Sequence, residues 1–163
     1  MESSRLILVM VCVFVFLVSI CQAQNSPDDF VNAHNNVRSQ VGLGLPYMTW
    51  NNTVASYARS YAQNRTTDCA LKLSDTDYYG ENVFVGTISY TGVFAVNAWA
   101  DEKQYYNYTT NTCAQCKVCG HYTQVVWRAS TSLGCARVTC NNGWIFITCN
   151  YYPPGNFVGQ RPY

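Results

Sequence analysis

Residues 113–127 read CAQCKVCGHYTQVVW, with Cys113, Cys116 and Cys119 at every third position and His121 close behind. Taken by itself the rhythm suits metal chemistry. Cys-x2-Cys-x2-Cys resembles part of an iron–sulfur run, and a following histidine completes a Cys3His zinc set. The same thiols suit an oxidised, disulfide-bonded domain equally well. The compartment that the chain inhabits decides between the two readings, and with it what kind of fold this stretch holds together.

Outward to the N-terminus, Met1 to Arg5 is a short polar start with one basic residue, and Leu6 to Cys21 is apolar except for Ser19. The run is short for a membrane span, which needs about 20 apolar residues. Cys21-Gln22-Ala23 then offers small residues at the two positions that signal peptidase reads. Residues 1–23 are therefore expected to be a signal peptide cut before Gln24, and the mature chain 24–163 to be a single secreted domain. The extracellular space is expected over the vacuole.

Of the nine cysteines, Cys12 and Cys21 lie in that leader, and the remaining seven point to an oxidised framework with one thiol left over. Part of the pairing is readable locally. Cys135–Cys140 and Trp144–Cys149 are β-rich runs separated by Asn141-Asn142-Gly143. A three-residue hairpin loop with left-handed Gly143 puts Cys140 opposite Trp144, and therefore Cys135 opposite Cys149.

A net charge of +1 without a basic or acidic tail argues against nucleic acid and polyelectrolyte partners. Thirteen tyrosines against 12% charged residues predict an aromatic, hydrogen-bonding surface. Asn51, Asn64 and Asn107 each open an Asn-x-Thr sequon and are glycosylation candidates. Ser26-Pro27-Asp28-Asp29 is a helix start, and Phe30, Ala33, Val37 and Val41 form the stripe that follows, with His34 in it. A second helix is predicted from about Asn52 to Gln63, burying Val54, Ala58, Tyr61 and Ala62. A third begins near Thr91 and turns Ala95, Ala98, Trp99 and Tyr106 inward, with Glu102 along the same stripe. A short helix at 121–127 and the hairpin complete an α+β order, with extended pieces near Leu71 to Phe84. Two ionisable groups on buried helix faces need partners. Either His34 and Glu102 belong to satisfied structural networks, or they converge with His121 and Glu81 on a cleft.

Four segments carry a resemblance: His34-Asn-Asn-Val-Arg38, Gly80-Glu-Asn-Val-Phe84, Gly120-His-Tyr-Thr-Gln-Val-Val-Trp127 and Cys149-Asn-Tyr-Tyr-Pro-Pro-Gly-Asn-Phe157. In this order they resemble the signatures of the CAP superfamily (cysteine-rich secretory proteins, antigen 5, pathogenesis-related 1). Trp99–Tyr106 and the ending Arg161-Pro162-Tyr163 are most similar to the plant pathogenesis-related 1 branch. The resemblance implies a three-layer α-β-α sandwich with a small antiparallel sheet, stabilised by Cys69–Cys140, Cys113–Cys119 and Cys135–Cys149. Cys116, inside the loop closed by the second bridge, departs from the family pattern and is the odd thiol.

The resemblance also implies a cleft lined by His34, Glu81, Glu102 and His121, in which His34 and His121 hold zinc or another divalent ion in some relatives. It implies no required cofactor and no enzymatic activity. The function implied is a secreted, monomeric plant defence protein that acts on fungi and oomycetes by sequestering a sterol or similar apolar lipid, touching pathogen membranes only indirectly. A processing protease cutting between Tyr152 and Pro153 would release residues 153–163 as a defence peptide. The competing reading is a metal-dependent hydrolase using the His/Glu cleft.

Overall fold

The structure is a computed structural model that describes residues 23–163. Residues 1–22 of the expected leader lie outside it. Among the described residues no helix is long and apolar enough to cross a membrane.

Helix α1 (Pro27–Ser39) starts where the sequence predicts. The Ser26 hydroxyl accepts from the Asp29 N–H, and the Asp29 carboxylate accepts from the Ser26 N–H, closing a reciprocal cap. Helix α2 (Asn52–Asn64) is capped by Asn51, whose side-chain oxygen accepts from the N–H groups of Thr53 and Val54. Helix α3 (Gly92–Asp101) is capped by Thr91 and ends one residue before Glu102, which opens a 3-10 turn instead of continuing the stripe. Helix α4 (Gly120–Val125) follows the Cys113–Cys119 loop.

Four strands form the central sheet in the order β1-β5-β6-β2: β1 (Thr49–Trp50), β2 (Gly80–Gly86), β5 (Ser132–Thr139) and β6 (Ile145–Tyr152). The sheet is mixed, because the short β1 runs parallel to β5 while the other pairs are antiparallel. Strands β3 (Tyr106–Asn107) and β4 (Thr112–Cys113) make a separate small hairpin. The β5–β6 register sets Cys135 opposite Cys149, and Gly143 at the turn takes φ +83°. In the expected extended region, only 80–86 joins the sheet; residues 71–79 find no ladder partner and stay irregular.

Helix α2 covers one face of β5 and β6, with Ala58, Ala62, Val83, Ala136 and Phe146 between them. Gly134 lets it sit so close, since a Cβ there would lie 2.1 Å from the backbone nitrogen of Ala55. The other layer is α1, α3 and α4, which pack on one another over Phe30, Val96, Trp99, Tyr122, Ile147 and Tyr151. The result is the α-β-α sandwich. Disulfides join Cys69 to Cys140, Cys113 to Cys119 and Cys135 to Cys149, and leave Cys116 as an exposed free thiol.

Candidate functional site

His34 projects from α1 into the interior and is fully buried. Its Nδ1 lies 2.7 Å from the Phe30 carbonyl oxygen, which can only accept, so Nδ1 carries the proton. Nε2, 2.9 Å from the Tyr151 hydroxyl, is then the acceptor. Burial pushes the imidazole pKa down to about 4, the backbone bond to Phe30 opposes this, and nearby Arg38 adds to it. Burial likewise pushes the Tyr151 phenol well above its ordinary range, so its proton stays available to His34. The Tyr151 hydroxyl accepts from the Asn82 amide at 3.1 Å, and that same amide donates to the His121 carbonyl oxygen at 3.0 Å. The chain of bonds Phe30–His34–Tyr151–Asn82–His121 thus crosses from α1 through β6 and β2 to α4.

His121 meets Glu102 directly. Its Nδ1 stands 2.6 Å from Glu102 Oε1, while Glu102 Oε2 accepts from the backbone N–H groups of His121 and Tyr122 at 3.0 and 3.1 Å. One carboxylate therefore orients the imidazole and also caps the first turn of α4, where a negative charge is favourable. The Trp99 indole touches both histidines, at 6.4 Å from His34 and 6.2 Å from His121 between ring centroids.

Glu81 belongs elsewhere. It is paired in register with Asn150, and its carboxylate accepts from the Ser74 N–H at 2.6 Å, the Thr148 hydroxyl at 3.0 Å and the Asn150 amide at 3.4 Å. Strand alternation gives Glu81 the side of β2 that Val83 shares with α2, and turns Asn82 towards the other layer. Glu81 thereby pins the irregular 71–79 segment to β6.

In the structure the four residues of the expected tetrad take different partners. Glu102 and His121 pair, His34 reaches His121 only through Tyr151 and Asn82, and Glu81 serves a separate network. A divalent ion would need a nitrogen lone pair from each histidine. Both His34 nitrogens are already committed, and among the described residues no three His, Cys, Asp or Glu side chains are grouped to hold a metal. The donor set does not fit zinc at His34. Nor do the regularly spaced cysteines supply one, since Cys113 and Cys119 are bonded to each other.

Several residues of this interior were not singled out from the sequence. Buried Arg38 donates to the carbonyl oxygens of Pro46, Val125 and Trp127 at 2.8 to 3.0 Å. Buried Gln124 and Ser130 reach the C-terminal segment. A polar residue opening an apolar run, as Asn82 does before Val83-Phe84-Val85 and Gln124 before Val125-Val126-Trp127, was the available signal. The sequons lie at the α2 cap (Asn51), the last residue of α2 (Asn64) and β3 (Asn107), the latter two exposed.

The model of the cysteine-rich secretory protein family (CAP) matches residues 31–151. A pathogenesis-related protein of PR-1 type from Sambucus nigra is 56% identical over 156 residues, spanning 94% of this chain and 92% of its own. Among solved structures, venom allergen-like protein 4 of Schistosoma mansoni matches with a TM-score of 0.68 at 27% identity, over 84% of this chain and 92% of that one. A crystal structure of NaASP2 with Zn2+ matches with a TM-score of 0.67 at 25% identity, over 84% of each chain.

Proposed function

The chain belongs to the cysteine-rich secretory protein (CAP) family, in its plant pathogenesis-related 1 branch, and from that premise we propose that this defence protein is secreted and is the precursor of a peptide, residues 153–163. The observation that carries the reading is the position of the Tyr152–Pro153 bond. Tyr152 forms the last pair of the β5–β6 ladder, opposite Ser132, and its side chain is exposed. A cut after it removes the segment without breaking a sheet pair or a disulfide. Mass spectrometry of extracellular fluid from wounded tissue tests this. The 153–163 peptide is expected, and its consistent absence beside abundant intact protein refutes the precursor role.

A second reading, sterol sequestration, is favoured by the apolar exposure of the irregular segment. Leu71, Leu73 and Tyr78 are 67%, 50% and 76% exposed beside the polar Ser74–Glu81 contact. An apolar body with one polar anchor is what a sterol requires. Saturable binding in a lipid-competition assay supports it, and non-saturable uptake refutes it.

No catalytic step is proposed. Glu102 orients His121, but the second histidine that a metal hydrolase would need serves the core. The zinc seen with NaASP2 is therefore not carried over to His34.

A further inference from the structure

Residues 153–163 hold their shape through the body of the protein. The backbone bond that the segment makes to itself is a turn, Gln160 N–H to Phe157 C=O. Its start is fixed from within: the hydroxyl of buried Ser130 donates to the Pro153 carbonyl oxygen at 2.7 Å, and buried Gln124 accepts from the Gly155 N–H at 3.1 Å. Gly155 sits so close that a Cβ would lie 2.6 Å from the Trp127 ring. In the middle, Asn156 donates to the Gly120 carbonyl oxygen and accepts from Thr123, both at 2.7 Å, while the Phe157 ring tilts against Trp127. At the far end Arg161 donates to the carbonyl oxygens of Tyr108 and Thr109. The buried Pro162 accepts from the Arg128 N–H at 2.7 Å, and the Tyr163 ring stacks on Tyr108 at 4.7 Å.

We propose that this cradle, built from α4, the β3–β4 hairpin and the 127–130 loop, is a peptide-binding site whose ligand is the chain's own C-terminal segment, so that cutting the Tyr152–Pro153 bond leaves the peptide bound. The inference rests on the precursor reading for its biological occasion. Its physical basis is independent, because hydrolysis removes one covalent link and none of the anchors. The groove and the bound conformation exist before the cut, so retention needs no rearrangement of the body, whereas release must break all of these anchors. Release is then a second, separately controlled event.

The test uses the whole mature chain in two forms. One is natural protein incubated with extracellular fluid from wounded tissue. The other carries a site-specific protease's recognition sequence inserted between Tyr152 and Pro153, which supplies the cut in any case. Denaturing mass spectrometry verifies cleavage, and native gel filtration then reads retention. The peptide is expected to elute with the body and to separate only in denaturant. In the inserted-site protein, Gly155→Ala is expected to speed its loss at least about tenfold, because the added methyl group must displace Trp127. Elution of the wild-type peptide as a free species immediately after verified cleavage overturns the proposal. No cut in the natural protein, with retention in the inserted-site form, refutes the precursor reading alone.

Discussion

His34 stays neutral in the folded protein until about pH 4, whereas an ordinary imidazole takes up a proton near pH 6.5. Between those values the unfolded chain binds a proton that the folded chain refuses. Stability is thus unaffected by this group above about pH 6.5 and falls as the pH drops towards 4, by roughly 3 kcal/mol at most. Urea unfolding at pH 7 and pH 4.5 is expected to show that loss, and His34→Gln, which cannot be protonated, to lose less over the same interval. Arg38 is a buried cation answered by carbonyl dipoles. Burial, with Arg128 nearby, lowers its pKa to about 10, partly offset by Tyr151, and it remains charged at neutral pH. Arg38→Lys keeps the charge but loses the fork that reaches several carbonyls at once, and is expected to cost about 2–4 kcal/mol in chemical unfolding. The burial of His34 was legible from its place in an apolar stripe. Its partner Tyr151, and Asn82 behind it, were not, because the sheet brings them to this helix from β6 and β2.

At the level of elements, helix starts were the most readable features, since a cap is decided within a few residues of chain. Ser26 with Pro27 and Asp29 shows this directly. The hairpin register was equally local, because loop length and Gly143 set it. The end of α3 was misjudged: Glu102 continues the apolar spacing of Ala98 and Trp99, yet its carboxylate is drawn to the N–H groups of α4 and the chain tightens into a 3-10 turn there. The contact between α2 and the sheet depends on Gly134. Gly134→Ala would force the helix away from β5, and thermal unfolding is expected to show a loss of about 1–3 kcal/mol.

At the level of the whole molecule, the bridges differ in how much chain they close. Cys69–Cys140 spans 71 residues and Cys113–Cys119 spans 6. On chain entropy alone, removing the first as a double alanine variant is expected to cost about 4 kcal/mol and the second about 2 kcal/mol, measured by denaturant unfolding. Metal analysis of purified protein is expected to find no stoichiometric zinc, and a chelator to leave the unfolding midpoint unchanged; one equivalent of tightly held metal would refute the fit argument made at His34. The sequence by itself determined the helix starts, the hairpin register and, through four ordered segments, the family and its layered fold. These features depend on near neighbours or on a pattern spread along the whole chain. Only the tertiary structure decided which ionisable groups meet. Strand alternation sends Glu81 to one side of the sheet while Asn82 joins His34 and His121 on the other. The geometry of CAQCKVCGHYTQVVW was decided in the same way: Cys113 and Cys119 close on each other, and His121 turns to a glutamate nineteen residues earlier in the chain.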